Sequence, residues 1–175
     1  MHPLVQRTLD AHGGLDQWGK FQSVSAHLVQ GGVLWGLKGH PETLAETNVT
    51  VGTKTEWASH SPFGADGRKS RFEPNRVALE SADGVLKELA NPRASFAGHT
   101  LETPWNELQL AYFAGCAMWT YLNMPFVLTW PGVDSEEIAP WQDGGHRWRR
   151  LESVSRRASR PTAPSRPSTS TITGS

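Results

Sequence analysis

Between residues 21 and 90, short runs of alternating apolar and polar side chains are separated by turn residues. The same two-residue period recurs at 21–28, 33–38, 45–51, 53–61, 69–73, 76–81 and 85–90. Side chains point to opposite faces along a strand, so this period is typical of strands buried on one face. Breaks such as Asp83-Gly84 favour the positive φ angles of tight hairpins. Seven short strands joined by short turns predict an antiparallel meander rather than parallel βαβ units.

A helix is predicted before the strands. Pro3 suits a first helical turn, where its missing N–H costs nothing. Leu4 and Leu9 recur at helical spacing, and Gly13-Gly14 ends the helix. We expect helical structure to continue loosely as far as Trp18.

A second helix is predicted after the strands, with Thr103 as N-cap, Pro104 in the first turn and its end near Asn123. Its apolar residues cover most of its surface, which indicates a helix that covers the sheet. The chain has no charged residue between Leu108 and Val133, but the apolar part of the helix is too short for the roughly 30 Å of a membrane core. The predicted fold class is α+β: an antiparallel meander forming an incomplete half-barrel, with an N-terminal helix and a covering helix, and no transmembrane span.

Composition narrows the functional classes. Lys plus Arg and Asp plus Glu both number 17, so the formal net charge is zero and nothing favours nucleic acid as a partner. Cys116 is the only cysteine, which excludes an internal disulfide. The N-terminus has no basic region followed by an apolar one, so a cytoplasmic location is the default expectation.

The last part of the sequence differs from the rest. Residues 152–175 consist mainly of Ser, Thr, Arg, Pro and Ala, a composition that cannot bury enough apolar surface to order itself. Those residue types are also what G+C-rich codons encode out of register, and a one-base shift permits two strand-like segments there. We therefore predict one domain at 1–151 and a disordered, out-of-frame tail at 152–175. An inactive truncated fragment is one alternative for the chain as a whole.

Several motifs resemble those of a family of uncharacterised bacterial proteins. They are AHGGL (11–15), LWGLKG (34–39), PRASFAGH (92–99), TPW (103–105), AMWTYL (117–122), PF (125–126) and WRRL (148–151). The resemblance covers residues 1 to about 151. At the level of fold, the order of helix, meander and helical insert is similar to the LolA-type lipoprotein carriers, which implies an unclosed barrel around an apolar cavity.

Eight tryptophans in 175 residues predict a large aromatic core or a cavity wall. The residues expected to line a ligand cavity are Trp35, Trp57, Phe72, Trp105, Tyr112, Phe113, Trp119 and Phe126. An apolar small molecule or a lipid is the expected partner, because a half-barrel has an inner face that must be filled. A plain hydrophobic core explains the same residues equally well.

Motifs that define common catalytic sites are missing from the sequence. It contains neither nucleotide-binding glycine loop, no G-x-S-x-G elbow and no H-E-x-x-H pair. We therefore expect no cofactor, no metal and non-catalytic binding. The alternative is a small enzyme that uses His60, His99 and Glu102 as an acid/base cluster, should strand and loop bring them together.

Overall fold

The computed structural model describes residues 1–155, which divide into two compact units. The sheet unit is the continuous segment Phe21–Leu122. The terminal unit joins both ends of the described chain, Met1–Lys20 and 123–155. Both units combine helices with antiparallel strands, which confirms the predicted α+β class.

The sheet unit contains a six-stranded antiparallel sheet. Its strands are β1 (Ser23–Val29), β2 (Glu46–Gly52), β3 (Ala58–Ser61), β4 (Lys69–Glu73), β5 (Arg76–Ser81) and β6 (Gly84–Ala90). They pair in sequence order, with β1 and β6 at the two edges. The predicted meander is confirmed, and the sheet stays open instead of closing into a barrel.

One predicted strand segment is wrong and another is too long. Residues 33–38 form a short helix, α3 (Val33–Leu37), between Gly32 and Gly39, which have φ angles of 148° and 83°. Residues 33–37 contain no polar side chain to define an outer strand face, and the helix places Trp35 against the core of the sheet. Of the run 53–61, only Ala58–Ser61 is a strand. The meander therefore has six strands and not seven.

The covering helix is present as α4 (Glu107–Asn123) and ends where the sequence predicts. It begins three residues later than expected, because Asn106 and not Thr103 caps it. The Asn106 side chain accepts a hydrogen bond from the Gln109 backbone N–H, and the Gln109 side chain accepts one from the Asn106 backbone N–H. This reciprocal pair satisfies two N–H groups at the helix start. The Thr103 hydroxyl instead accepts a hydrogen bond from the backbone N–H of Thr100 within the preceding loop.

Helix α4 packs directly on the sheet. The buried core between them consists of Leu44, Phe63, Val77, Leu79, Leu110, Ala111 and Ala114. Gly115 brings the helix backbone against the side chain of Phe72 on β4. At the start of the helix, Glu107 pairs with Arg68 at 2.8 Å and with Lys87 of β6 at 2.6 Å. The hydrogen bond from Lys87 is the main reason that the pKa of Glu107 lies below its ordinary value.

The terminal unit has a small core of its own. Helices α1 (Pro3–Ala11) and α2 (Gly14–Trp18) come from one end of the chain, and the hairpin of β7 (Val133–Asp143) and β8 (His146–Ser155) from the other. Its core consists of Leu4, Val5, Leu9, Phe126, Leu128 and Leu151. The predicted N-terminal helix is confirmed. It breaks at Gly13, whose φ of 93° separates α1 from α2.

The predicted domain boundary at residue 151 falls inside β8, which continues to Ser155. The remainder of the predicted tail, 156–175, lies outside the described residues. Within residues 1–155, no helix is long and apolar enough to cross a membrane.

Candidate functional site

Six aromatic side chains of the sheet unit form a continuous chain of ring contacts, here called the aromatic network. In order of contact, its members are Trp35, Phe113, Trp105, Phe96, Tyr112 and Phe72. The centroids of successive rings lie 6.3, 4.8, 5.6, 5.9 and 5.5 Å apart, in edge or tilted geometries. Such arrangements are the favoured ones between aromatic quadrupoles. Five of these rings belong to the set that the sequence predicted as a cavity wall.

The network runs from the core to the surface. Phe72 is buried beneath α4, whereas Phe113 on the same helix is 37% exposed. Next to Phe113 lies Trp35 of α3, and the same short helix carries Val33 at 89% and Leu37 at 40% exposure. The network therefore ends at a partly exposed ring, next to a short helix that exposes two further apolar side chains.

A buried lysine fixes the loop that precedes α4. Lys38, only 3% exposed, donates from its ammonium group to the backbone carbonyls of Thr100, Leu101 and Thr103. The same Nζ lies 4.9 Å from the ring centroid of Trp105. Three carbonyls and a ring face replace the water that a buried ammonium loses.

A second contact from the same segment holds this loop in place. The Nε2 atom of His40 lies 2.8 Å from the carbonyl oxygen of Trp105, and the N–H of Trp105 donates to the carbonyl of Lys38 at 3.1 Å. The segment that positions Trp35 therefore also positions Trp105. The loop at 97–104 is thus held by Lys38, and the residue that follows it, Trp105, by His40 and Lys38.

Two components of this site, Phe96 and Lys38, are not predicted by the sequence patterns. Phe96 links Trp105 to Tyr112 from the short 3₁₀ helix Pro92–Phe96, a region that has no strand or helix periodicity to identify it. Lys38 was passed over as a polar position in a predicted strand. Its position directly after the apolar run of α3 was the available signal, because a charge at the end of such a run needs a nearby partner.

The other three predicted cavity residues lie elsewhere. Trp119 is a buried residue of α4 and donates from its indole N–H to the Gly52 carbonyl at 3.0 Å. Trp57 packs against Gly52, where an added Cβ would come within 2.3 Å of its Nε1. Phe126 belongs to the terminal unit and stacks on Trp18 with centroids 4.2 Å apart.

Trp57 also borders an open groove of about 330 Å³. The groove is lined by Thr55, Glu56, Trp57, Arg71, Glu73, Pro74, Asn75 and Arg76. The guanidinium group of Arg71 lies 4.4 Å from the ring centroid of Trp57 and pairs with Glu73 at 3.1 Å. Arg76 pairs with Glu88 at 2.8 Å. Both arginines that line the groove are therefore paired with neighbouring carboxylates.

The three residues of the alternative acid/base cluster have separate partners. His60 is fully buried on β3, where its Nδ1 lies 3.2 Å from the hydroxyl oxygen of Ser70, and burial lowers its pKa to about 4. His99 packs edge-on against Phe96 with centroids 5.6 Å apart. Glu102 is exposed and accepts a hydrogen bond from Thr100. Its pKa is lowered first by a backbone hydrogen bond and then by that contact with Thr100.

The thiol of Cys116 is partly buried. Burial raises the pKa of the Cys116 thiol, which keeps it in the neutral, unreactive form. Among residues 1–155, no group of three or more His, Cys, Asp or Glu side chains is placed to hold a metal ion.

Comparisons with protein-family models, curated proteins and solved structures found no significant match to this chain.

Proposed function

We propose that this protein binds an apolar or amphipathic ligand, such as an acyl chain, without catalysing a reaction. The observation that carries the proposal is the surface end of the aromatic network, where the partly exposed ring of Phe113 contacts Trp35 of α3, a short helix that also exposes Val33 and Leu37. Exposed apolar surfaces that continue from an aromatic core are typical of binding sites. The ligand's apolar part would lie along α3 and the exposed edge of Phe113.

The surroundings of the candidate acid/base residues favour binding over catalysis. A general base must come within hydrogen-bond reach of the proton that it removes. His60 has no exposed surface, and its lowered pKa reflects desolvation without a nearby charge partner. Glu102, in contrast, is solvated. These environments differ from that of a cleft built around two coupled titrating groups.

The LolA-like relationship belongs to the same proposal. The resemblance implied an unclosed barrel around an apolar cavity, and the sheet unit contains an open antiparallel sheet covered by α4. A carrier of this kind holds an acyl chain by contact with aromatic and aliphatic side chains. Shared architecture supports a function only by analogy, so the proposal rests on the surface at Phe113.

The test is a titration with a fluorescent fatty acid, followed by quenching of tryptophan fluorescence. We expect saturable binding that weakens roughly tenfold in Phe113→Ser, since removing a contacting aromatic ring costs about 1–2 kcal/mol. Tyr121→Ser is the matched control: it removes another exposed aromatic ring from α4, outside the network. Equal loss of binding in both variants would contradict the proposed site, and a folded protein that shows no saturation would contradict the function.

The enzymatic alternative is tested in parallel. Ester, phosphate and peptide substrates should not be turned over by the intact chain. Hydrolysis that is lost on His99→Ala while the fatty acid still binds would replace the binding proposal with a catalytic one.

A further inference from the structure

The two edges of the six-stranded sheet differ in how they are protected against pairing. The edge strand β6 carries Lys87 and Glu88, and a register shift interrupts its pairing with β5 between Leu79 and Glu80. Charges and bulges are the usual means by which a sheet edge avoids pairing with another strand. The β6 edge is therefore protected.

The β1 edge has none of these protections. Its seven residues contain no Lys, Arg, Asp, Glu or Pro, and they pair with β2 in uninterrupted register from Ser23–Gly52 to Val29–Glu46. Within residues 1–155, β1 pairs with β2 alone. A long, regular and uncharged edge is a ready template for another strand.

The backbone hydrogen bonds show which groups of β1 point outward. The Thr53 N–H donates to Gln22 and the Gln30 N–H donates to Ala45. Since bonded residues alternate along an antiparallel ladder, the backbone groups of the even-numbered β1 residues face β2. Those of the odd-numbered residues face the open edge: Ser23, Ser25, His27 and Val29.

The inner face of β1 is also incompletely covered. Val24 and Ala26 lie opposite Val51 and Val49 of β2. The two β2 valines are fully buried, whereas both β1 residues and Leu28 are only half-buried. A further strand beside β1 would complete the burial of its apolar side chains.

We infer that β1 is a homodimer interface, at which two copies of this chain pair their β1 strands antiparallel to form one continuous sheet. The occupant is a second copy because the strand is complementary to itself about Ala26. In that register Val24 lies opposite Leu28 of the other copy, and the two Ala26 residues meet at the two-fold axis. Ser25 lies opposite His27, so no like charges face each other, and the outward groups supply up to about eight backbone hydrogen bonds.

The register makes the inference testable with charge pairs on the exposed face. Ser25 and His27 are both exposed, so substitutions there leave the core intact. Ser25→Lys with His27→Lys places lysines opposite each other twice in the dimer, which should raise the dimer dissociation constant about tenfold or more. Ser25→Lys with His27→Glu instead places opposite charges together, and the dimer should persist.

The measurement is molar mass by sedimentation or light scattering over a concentration series of the full chain, whose monomer is 19.3 kDa. A third variant, Ser25→Pro, removes an outward N–H and should give monomers. Ala90→Pro on the β6 edge is its matched control and should not affect association. Its N–H also points outward, since the Asn91 N–H beside it bonds to Asn75.

Circular dichroism is the control that each variant is folded. A wild-type chain that is monomeric at every soluble concentration overturns the inference. So do polydisperse particles, and so does a dimer that survives both Ser25→Pro and the double-lysine variant. Because none of these variants touches Phe113 or α3, the outcome does not depend on whether the chain binds a fatty acid.

Discussion

Replacing Gly115 by alanine should destabilise the protein, although the same change in the interior of a helix normally stabilises it. Alanine is favoured over glycine by roughly 1 kcal/mol in a helix, because glycine loses more backbone entropy. At Gly115 the new methyl carbon would lie 2.3 Å from Cβ and 2.6 Å from Cγ of Phe72. Both distances are far below van der Waals contact, so α4 and β4 must separate.

The expected size follows from packing. Phe72 is buried and contacts Tyr112 with centroids 5.5 Å apart, so neither ring can move away freely. Overpacking a core costs about 1–3 kcal/mol, and strain between two backbone-anchored atoms belongs at the upper end of that range. After the helix-propensity gain is subtracted, we expect a net loss of about 2 kcal/mol. That corresponds to a melting temperature roughly 4–8 °C lower.

Urea denaturation followed by tryptophan fluorescence measures this difference. Gly36→Ala in α3 is the matched control, because a Cβ there meets nothing within 4 Å, and it should stabilise by up to about 1 kcal/mol. Phe72→Ala should not rescue Gly115→Ala, since the closest atom is the Cβ that alanine retains. A Gly115→Ala variant as stable as Gly36→Ala would refute the close approach of α4 to β4.

Two further predictions concern buried titratable groups. The lowered pKa of His60 means that the folded state favours its neutral form, so this contribution to stability is complete above pH 6.5 and is lost as the pH falls towards 4. The loss in unfolding free energy totals about 3 kcal/mol. Urea titrations between pH 7 and 5.5 should show an unfolding free energy that falls with pH. This dependence should disappear in His60→Gln but not in His27→Gln, which changes an exposed histidine. Lys38→Met should cost about 2–3 kcal/mol, because three carbonyls lose a charged donor, and should speed proteolysis within 97–104. The control is Lys20→Met on the exposed surface, which should change the unfolding free energy by less than about 0.5 kcal/mol. Equal effects of the two lysine variants would show that Lys38 does not anchor the loop.

The meander was predictable because its strands carry their own signals. The segments Lys69–Glu73 and Arg76–Ser81 coincide with the predicted runs, since alternating burial and tight turns leave a local pattern in the sequence. The helix at Val33–Leu37 was not predictable, because an entirely apolar run has no polar residues that would distinguish a helical period from a strand period. There the tertiary contact of Trp35 with the core decides the conformation.

The site was only partly predictable for a different reason. The aromatic residues were recognisable by type, but their ring contacts depend on how helix and sheet are placed, which periodicity does not reveal. Trp119 and Phe126 therefore resembled Trp105 in the sequence, although they occupy other surroundings. Asn106 and Gln109 do have a recognisable spacing, and reading their capping pair would have placed the start of α4 correctly.

The division of the terminal unit between both chain ends has a consequence during synthesis. Chains emerge from the ribosome N-terminus first, and domains generally fold as units in that order. Leu4, Val5 and Leu9 are therefore among the first residues to leave the ribosome, yet their core partner Leu151 is made only after the whole sheet unit. The sheet unit can fold as a continuous segment before the core partners of the N-terminal helix have been synthesised. The first helix of this protein is thus among the last elements to complete its packing.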